Sequence, residues 1–372
     1  MLPPMAQDRP WLPSEGASRV RPRGVVVCLL LGLATLLGIN AGAGWLLRKA
    51  GDNLGYRLMD QKWALANRGL DGAAIVVVGD SSGNQGLDPA AMSAALPGGP
   101  RVMNLCTVAN GLTVHDAWIL RRWIQTSGPP RGVVVVHTFD MWHRQADAAD
   151  SAAIFARVGV PLWEWLAMRP RLDVSAGTWG RLLSARWAPL YASDQSLREL
   201  VARPEDTWAR VTTGRGLGWM TVNDQGFMET NRANPRRVES DYRGQMGFLR
   251  NRREFRISDD NRRGLEELAA LGQEHGFPVW IAVAPVYRRL GEEDRFGWYH
   301  AQIRAWLEAF AADHPHVHLV MPEPFLLEAE ELQLVDHAIA AAAARYGRAV
   351  GEAIAGIWDE GAMDGADRAS DR

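Results

Sequence analysis

Short runs of consecutive apolar residues alternate along the chain with stretches in which apolar residues recur at the helical period. Five such runs predict strands, at residues 74–78, 101–105, 132–137, 278–284 and 317–321. Helices are predicted around them at residues 52–69, 89–96, 113–126, 258–275, 295–312 and 336–357. Continuous apolar strands that alternate with helices indicate a parallel sheet covered on both faces. The predicted fold class is therefore α/β, a three-layer doubly wound parallel sheet of the flavodoxin-like kind.

The alternation stops after residue 140 and resumes near residue 256, so residues 72–140 and 256–358 are predicted to form one α/β domain. Residues 141–255 are a large, mostly helical insertion that is rich in tryptophan and arginine. It holds seven of the 16 tryptophans, Trp142, Trp163, Trp165, Trp179, Trp187, Trp208 and Trp219, and most of an arginine run from Arg232 to Arg256. Three interpretations stay open: a subdomain with its own core and a solvated arginine face, a surface for acidic sugars, or a membrane interface.

The N-terminal region carries a long apolar segment, residues 24–47, in which Asn40 is the only strongly polar side chain. Its 24 residues, at about 1.5 Å each, would cross a hydrocarbon core of roughly 30 Å. Arginines at positions 19, 21 and 23 favour a cytoplasmic N-terminus. Small residues at 41–43 would also suit a signal peptidase, but the apolar run continues past them through residues 45–47. The prediction is an uncleaved, single-pass anchor in a bacterial inner membrane, with the C-terminal domain in the periplasm.

Composition and charge add little to this picture. Residues 1–23 and 359–372 are predicted to be disordered tails, and residues 48–71 a helical linker. The formal net charge of −2 over 372 residues gives no reason to expect a nucleic-acid partner. With only 2 cysteines, Cys28 and Cys106, no disulfide framework is expected, which suits an exported protein.

Candidate chemistry first appears in the stretch GDSSGNQGLDP, residues 79–89, which directly follows the first predicted strand. In an open parallel sheet, ligands bind at the carboxyl ends of the strands, where the strand order reverses. Ser81 is therefore a candidate nucleophile, because its hydroxyl would face this crevice and nearby backbone N–H groups could stabilise an oxyanion. The alternative is that the serine only caps the next helix. The sequence also leaves open whether Ser81 or Ser82 faces the crevice.

A serine nucleophile needs a general base, and the chain has 9 histidines. His337 follows Asp336 at the predicted start of the last helix, on the same rim of the sheet as Ser81. The second candidates, near other strand ends, are His115, His137 and His143. The pattern HPHVH, residues 314–318, could present three imidazoles to a metal, but a surface turn at its proline explains it more simply. No metal and no cofactor are therefore predicted.

Five blocks, in order along the chain, resemble the SGNH/GDSL hydrolase superfamily: VVVGDSSGNQGLDP, MNLCTVANGLT, VVVVHTFDMW, VWIAVAPVY and VDHAIAAAAARYGRAV. The likeness covers residues 72–140 and 258–357 and leaves out the insertion. It is strongest to membrane-anchored members that accompany membrane-bound O-acyltransferases, such as the alginate O-acetyltransferase accessory proteins and the D-alanyl transfer protein of teichoic acid. The resemblance implies an SGNH-like fold.

Matched residue by residue, the resemblance implies that Ser81 is the nucleophile and His337 the base. The backbone N–H of Ser81 would give one oxyanion donor, and that of Gly111, in the second block, would give another. Asn104 would orient the turn. The full set of predicted oxyanion and substrate-binding residues is Gly111, Asn104, Asp80, His137 and Asp140.

Two positions depart from the family pattern. The family places an aspartate three residues before the histidine, and this chain has Leu334 there. Asp336 is adjacent to His337 and is expected mainly to cap the helix, so it orients the imidazole only if the two side chains meet. Glu331 is another carboxylate that could replace the missing acid.

The family's Gly-x-Asn-Asp block is also absent, and residues 137–140 stand where it would be expected. Asp140 or Thr138 could substitute for its asparagine. Loss of the orienting acid lowers turnover in a serine triad by about 10⁴ without abolishing the site. A Ser–His dyad, a triad completed by another carboxylate, and a site that has lost activity therefore all stay open.

The leading prediction is an exported, membrane-anchored acyl esterase or O-acyltransferase that acts on a cell-surface or secreted polysaccharide through a serine acyl-enzyme. Its expected partners are the polysaccharide, the membrane, and a membrane-bound O-acyltransferase or polysaccharide synthase. The alternative is a catalytically degenerate scaffold or glycan-binding subunit of an exopolysaccharide synthesis or secretion complex, in which Leu334 marks a lost triad. The anchor and the long insertion disfavour a soluble lipase or thioesterase.

Overall fold

The computed structural model describes residues 22–50, 54–69, 75–108, 112–145 and 222–358, together with isolated positions between 176 and 208. The strands in this part of the chain are Ile75–Gly79 (β1), Val102–Asn104 (β2), Gly132–His137 (β3), Val279–Val283 (β4), Val286–Tyr287 (β5), Val317–Met321 (β6), Leu326–Leu327 (β7), Leu332–Leu334 (β8) and His337–Ala338 (β9). The helices are Pro22–Ala50 (α1), Leu54–Arg68 (α2), Ser81–Gly86 (α3), Pro89–Ala95 (α4), Leu112–Ser127 (α5), Pro235–Asn251 (α6), Asp259–His275 (α7), Arg288–Gly291 (α8), Asp294–Asp313 (α9) and Ala340–Ala355 (α10).

Five strands form one parallel sheet in the order β2-β1-β3-β4-β6. The sheet grows in one direction from β1 to β2 and in the other from β1 to β3, so the strand order reverses at β1. Crevices for ligands form at the carboxyl ends of strands at such a reversal. The predicted parallel α/β sheet is confirmed, and its reversal point lies where the GDSS turn leaves β1.

Side chains of the central strands alternate between two separate hydrophobic clusters, as the period of a strand requires. Val76 and Val78 belong to the cluster that includes α5 and α7, whereas Ile75 and Val77 belong to the cluster that includes α4 and α10. Helices α5 and α7 pack against each other on the first face, and α4 and α10 on the second. Because both faces are covered, the strands are apolar without interruption, and the pattern predicted them to within about two residues.

The start of the last helix was predicted wrongly. Helix α10 begins at Ala340, not at Asp336, and the residues before it form the antiparallel pair of β8 and β9. Val335 and Asp336 make the turn between these two strands. This turn is held from outside the segment, because the Tyr287 N–H donates to the Val335 carbonyl at 2.6 Å and the Val335 N–H donates to Asp241 Oδ2 at 3.3 Å. Contacts from distant residues therefore override the helical tendency of the sequence.

Helix α1 is the one described helix that is long and apolar enough to span a membrane. Its stretch Arg23–Trp45 has a mean hydropathy of 2.3 and is almost entirely exposed. Helix α2 follows after three residues and packs against α5, with Met59, Trp63 and Ala66 buried. Of the tail predicted at residues 1–23, residues 22 and 23 belong to α1, and residues 1–21 lie outside the described residues, as does the tail predicted at 359–372.

The described part of the insertion joins the main core. Helix α6 buries one apolar face, formed by Val238, Tyr242, Met246 and Leu249, in the same cluster as α5 and α7. Trp142 is buried in that cluster too, and Trp208 is exposed. The other five tryptophans of the insertion lie outside the described residues.

Candidate active site

Ser81 is the first residue of α3, directly beyond the end of β1, and its side chain lines a cavity of about 760 Å³. Ser82 is fully buried, and its hydroxyl and backbone N–H both donate to Asp80 Oδ1. The two adjacent serines therefore have different positions. Ser82 bonds to Asp80 in the cap of α3, and Ser81 faces the cavity. A sharp turn permits this, because Gly79 has φ +150° and a Cβ there would collide with the Val136 carbonyl oxygen.

His337 lines the same cavity from β9, and α3 packs against β9. Its Nδ1 lies 2.5 Å from Asp336 Oδ1, so Nδ1–H donates to the carboxylate and Nε2 is left to face a substrate. Asp336 was expected to cap a helix and instead pairs with the imidazole, because it occupies the β8–β9 turn. Burial lowers the pKa of His337, but Asp336, with smaller contributions from Asp80 and Asp241, outweighs burial and holds this pKa above the ordinary imidazole value. The site thus has the parts of a serine nucleophile, a base and an orienting acid.

The other candidate acids have different partners. Leu334, at the family position of the aspartate, is on β8 and lines the cavity with an apolar side chain. Glu331 accepts from Arg345 at 2.6 Å rather than from a histidine. Asp140 pairs with Arg144 at 2.5 Å, and burial raises the pKa of Asp140, an effect that Arg144 opposes. Thr138 is buried beneath the cavity, where its N–H donates to Asp80 Oδ2 at 2.9 Å.

A buried ion network lies beneath α3. His137 Nε2 is 2.6 Å from Asp116 Oδ2, and His137 Nδ1 is 3.4 Å from Asp80 Oδ2, with all three side chains nearly inaccessible. Burial lowers the pKa of His137, but the two carboxylates outweigh it and raise this pKa to about 9. Burial raises the pKa of Asp80, but His137, Ser82 and the Thr138 N–H together lower it to about 2. His137 does not line the cavity; it is a fixed cation that holds the ends of β1 and β3 to α5.

Asn104 and Lys62 hold α3 from the other side. The Asn104 amide donates to the carbonyls of Gly83 and Leu87, at 3.0 and 3.1 Å, and accepts from the Cys106 N–H at 3.0 Å. Lys62, on α2, donates to the Asn104 carbonyl at 2.7 Å, to Asn104 Oδ1 at 3.3 Å and to the Gly226 carbonyl. Burial lowers the pKa of Lys62 to about 7, against a smaller effect of Cys106. The Asn104 amide therefore bonds to the α3 segment and does not line the cavity.

Ser81 and His337 thus line one cavity, with Asp336 bonded to His337, whereas Asp80, Asn104 and His137 do not line it and hold the turn and α3 in place. Asp140 pairs with Arg144 and does not line the cavity. Gly111 lies outside the described residues. Sequence reasoning missed Asp116 and Lys62, whose roles depend on the ends of distant strands; the one available signal was that Lys62 is one of only two lysines in the chain.

The remaining histidines have structural partners. His115 accepts from Trp63 Nε1 at 2.9 Å, and burial lowers its pKa to about 4. His143 stacks on Phe248. In the HPHVH pattern, ring nitrogens of His314 and His316 lie 2.8 and 2.6 Å from the backbone carbonyls of Phe310 and Ala269. Within the described ranges, no group of three or more His, Cys, Asp or Glu residues could hold a metal ion.

Comparison with known proteins adds no family to this geometry. No known protein family matches the chain, and none of the curated proteins matches it. The chemistry assigned to the cavity therefore depends on the positions of its side chains.

Proposed function

We propose that this protein is a membrane-anchored serine esterase or O-acyltransferase of the SGNH type that acts on acyl esters of a polysaccharide. The observation that carries the proposal is that Ser81 and His337 line the same cavity and that the Nδ1 atom of His337 is bound to Asp336. The reversal of strand order at β1 supports it, because Ser81 stands at the carboxyl end of that strand.

In the proposed reaction, His337 Nε2 takes the proton of the Ser81 hydroxyl while Oγ attacks the acyl carbon. The negative charge on the carbonyl oxygen is stabilised by the backbone N–H of Ser81. The ester C–O bond then breaks, and the imidazolium returns the proton to the departing oxygen. The products of this step are a Ser81 acyl ester and an alcohol.

The acyl ester is resolved by the reverse sequence. A sugar hydroxyl or water loses its proton to His337 Nε2 and attacks the acyl carbon, and the Ser81 hydroxyl is re-formed. Attack by the sugar gives transfer, and attack by water gives hydrolysis. Asp336 serves both steps, because it fixes the ring orientation and stabilises the imidazolium.

The position of the cavity fits an anchored enzyme. Leu58 of α2 lines the cavity, and α2 begins only three residues after α1 ends. With α1 in a bacterial inner membrane and the sheet in the periplasm, the nucleophile works close to the membrane surface. A membrane-bound acyl donor, such as a membrane-bound O-acyltransferase, could reach it there.

Hydrolysis of p-nitrophenyl acetate by the full chain in detergent tests the proposal. We expect turnover by the wild-type protein and by Ser93→Ala, a control on α4 that does not line the cavity. Ser81→Ala and His337→Gln should lose turnover. Equal rates in all four proteins, or no turnover in any, would instead support the scaffold interpretation.

A further inference from the structure

The cavity around Ser81 has two chemically different sides. The apolar side is formed by Leu58, Val108, Met228 and Leu334. Another part of the lining, called the cationic wall below, consists of Arg232, Arg236 and Arg237 together with the polar residues Asn234 and Gln333. The whole chain has a formal net charge of −2, so this concentration of positive charge is local.

Backbone bonds fix the cationic wall in place. The Met228 N–H donates to the Asn84 carbonyl at 3.4 Å, and the Asn234 N–H donates to the Leu332 carbonyl at 2.8 Å. The Gln333 amide donates to the Arg232 carbonyl at 3.1 Å. The segment that carries the arginines is therefore tied both to α3, which bears Ser81, and to β8, which precedes His337.

The three arginines form no ion pair with any residue that the structure describes, whereas Arg288, Arg304 and Arg345 pair with glutamates elsewhere. Asp241 lies one turn beyond Arg237 and interacts with its charge, but the two form no ion pair, and Asp241 Oδ2 accepts from the Val335 N–H. Arg236 and Arg237 also lie in the first turn of α6, a helix of 17 residues whose dipole adds positive potential at this end. The wall thus presents cationic groups to the cavity.

Gln85 supplies a second, independent feature of a binding site. It lies one turn after Ser81 on α3, lines the cavity, and is only 5% exposed. Its Oε1 atom is buried and has no hydrogen-bond partner among the described residues. A buried acceptor without a donor is costly. Because Oε1 has almost no exposed surface, it meets a ligand hydroxyl only when the Gln85 amide turns toward the cavity, and that contact would favour binding.

We propose that the cavity selects an anionic glycan, with its carboxylate or phosphate group on Arg232, Arg236 and Arg237 and a sugar hydroxyl on Gln85 beside Ser81. This inference rests on the function proposed above, which leaves the charge of the polysaccharide open. Arginine suits both anions, because its planar guanidinium can donate two parallel hydrogen bonds to either.

Binding to the full-length Ser81→Ala protein tests this inference. The protein is placed in phosphatidylcholine nanodiscs, which carry no net charge, and titrated calorimetrically with three oligomers of similar length. The probes are an oligogalacturonate, a glycerol phosphate oligomer and a neutral maltooligosaccharide. We expect one of the two anionic probes to bind at least about tenfold more tightly than the neutral one, and its identity distinguishes carboxylate from phosphate.

Two variants locate the binding site. Replacing the three cavity arginines together by glutamine should abolish the anionic preference, with a loss of about tenfold. The control replaces Arg243, Arg250 and Arg253, which do not line the cavity, by glutamine. It changes the net charge of the protein by the same amount and should leave the affinity for the probes unchanged. Gln85→Leu should weaken the preferred probe about fivefold and keep its advantage over the neutral one.

Equal affinity for all three probes, no binding of any of them, or the same loss in both arginine variants would overturn the inference. Fluorophosphonate labelling of wild-type Ser81, measured in parallel, separates this result from the fate of the proposed function. If Ser81 is labelled but the anionic probes bind no more tightly than the neutral one, only the proposal of an anionic substrate is wrong. Arginine-dependent anionic binding without labelling leaves a binding cavity that lacks the serine chemistry.

Discussion

The Nδ1 atom of His337 lies 2.5 Å from Oδ1 of Asp336, the residue directly before it in the chain. Side chains of adjacent residues point apart in a regular strand and also diverge in a helix. They meet here because Asp336 lies in the turn between β8 and β9. An acid at this position can orient the imidazole, so Leu334 at the usual acid position does not leave the base unsupported.

Removing the orienting acid should slow the reaction of Ser81. In Asp336→Asn, the amide no longer stabilises the imidazolium and favours the wrong ring tautomer, so the rate of fluorophosphonate labelling should fall by a factor approaching about 10⁴. Glu331→Gln is the matched control, because Glu331 binds Arg345 and should leave the rate unchanged. The rate is followed by gel fluorescence, and an equal loss in both variants would contradict the role of Asp336.

The pH profile of labelling should report the raised pKa of His337. The base works only when its imidazole is neutral, so the rate should rise with pH through an apparent pKa above the ordinary imidazole value of about 6.5. In Asp336→Asn the midpoint should move to lower pH, because the carboxylate that stabilises the imidazolium is gone. A midpoint that is the same in both proteins would show that Asp336 does not act on the base.

The sequence could predict the sheet because its signal is local. The five apolar runs end at Val78, at His137 and at other positions close to the observed strand ends, since strands buried on both faces must be apolar throughout. The end of β1 was also readable, because Gly79 and Asp80 supply the turn and the cap that α3 needs. The choice of Ser81 as a candidate nucleophile depends on this local sequence.

The supporting residues could not be predicted, because their partners are distant in sequence. In the sequence, Asp116 is an ordinary residue of an amphipathic helix, and only the fold brings His137 against it. Lys62 gains its three acceptors only when α2 meets the end of β2 and Gly226. The helix start at Ala340 was missed for the same reason, since bonds from Tyr287 and Asp241 hold the preceding turn.

Lys62 and His137 should have opposite effects on stability as pH rises. The pKa of His137 is about 9 in the folded chain, above its ordinary 6.5, so its stabilisation is complete below pH 6.5 and is lost as pH rises to 9. The pKa of Lys62 is about 7 when folded, below its ordinary 10.5, so its cost is full below pH 7 and decreases as pH rises toward 10.5. Between pH 7 and 9, a rise in pH therefore lowers the free energy of unfolding through His137 and raises it through Lys62.

When one of these two groups is removed, the pH dependence of the free energy of unfolding should show the effect of the other group alone. In Lys62→Met, the free energy of unfolding should fall between pH 7 and 9 by about 1.4 kcal/mol per pH unit, and in His137→Gln it should rise by a similar amount. Urea unfolding of the full chain in detergent, followed by tryptophan fluorescence, measures both. Parallel pH profiles in the two variants would be inconsistent with these pKa shifts.

The turn before Ser81 should tolerate no side chain at Gly79. In Gly79→Ala, the new Cβ meets the Val136 carbonyl oxygen at a backbone φ of +150°, so we expect a loss of about 3 kcal/mol or more, or no folded protein. Gly98→Ala is the control, because Gly98 also has a positive φ but no atom within 4 Å of the added Cβ. It should cost about 1 kcal/mol. Similar losses in both variants would show that the close approach to β3 is unimportant.

The most direct test of the central claim is the site of covalent modification. The full chain is treated with a fluorophosphonate, digested, and mapped by mass spectrometry, in the wild-type protein and in His337→Gln. We predict one adduct, on Ser81 and not on its neighbour Ser82, that is nearly absent when His337 is replaced. An adduct on Ser82, an adduct on Ser81 that forms equally fast without His337, or no adduct at all would contradict the proposed serine chemistry.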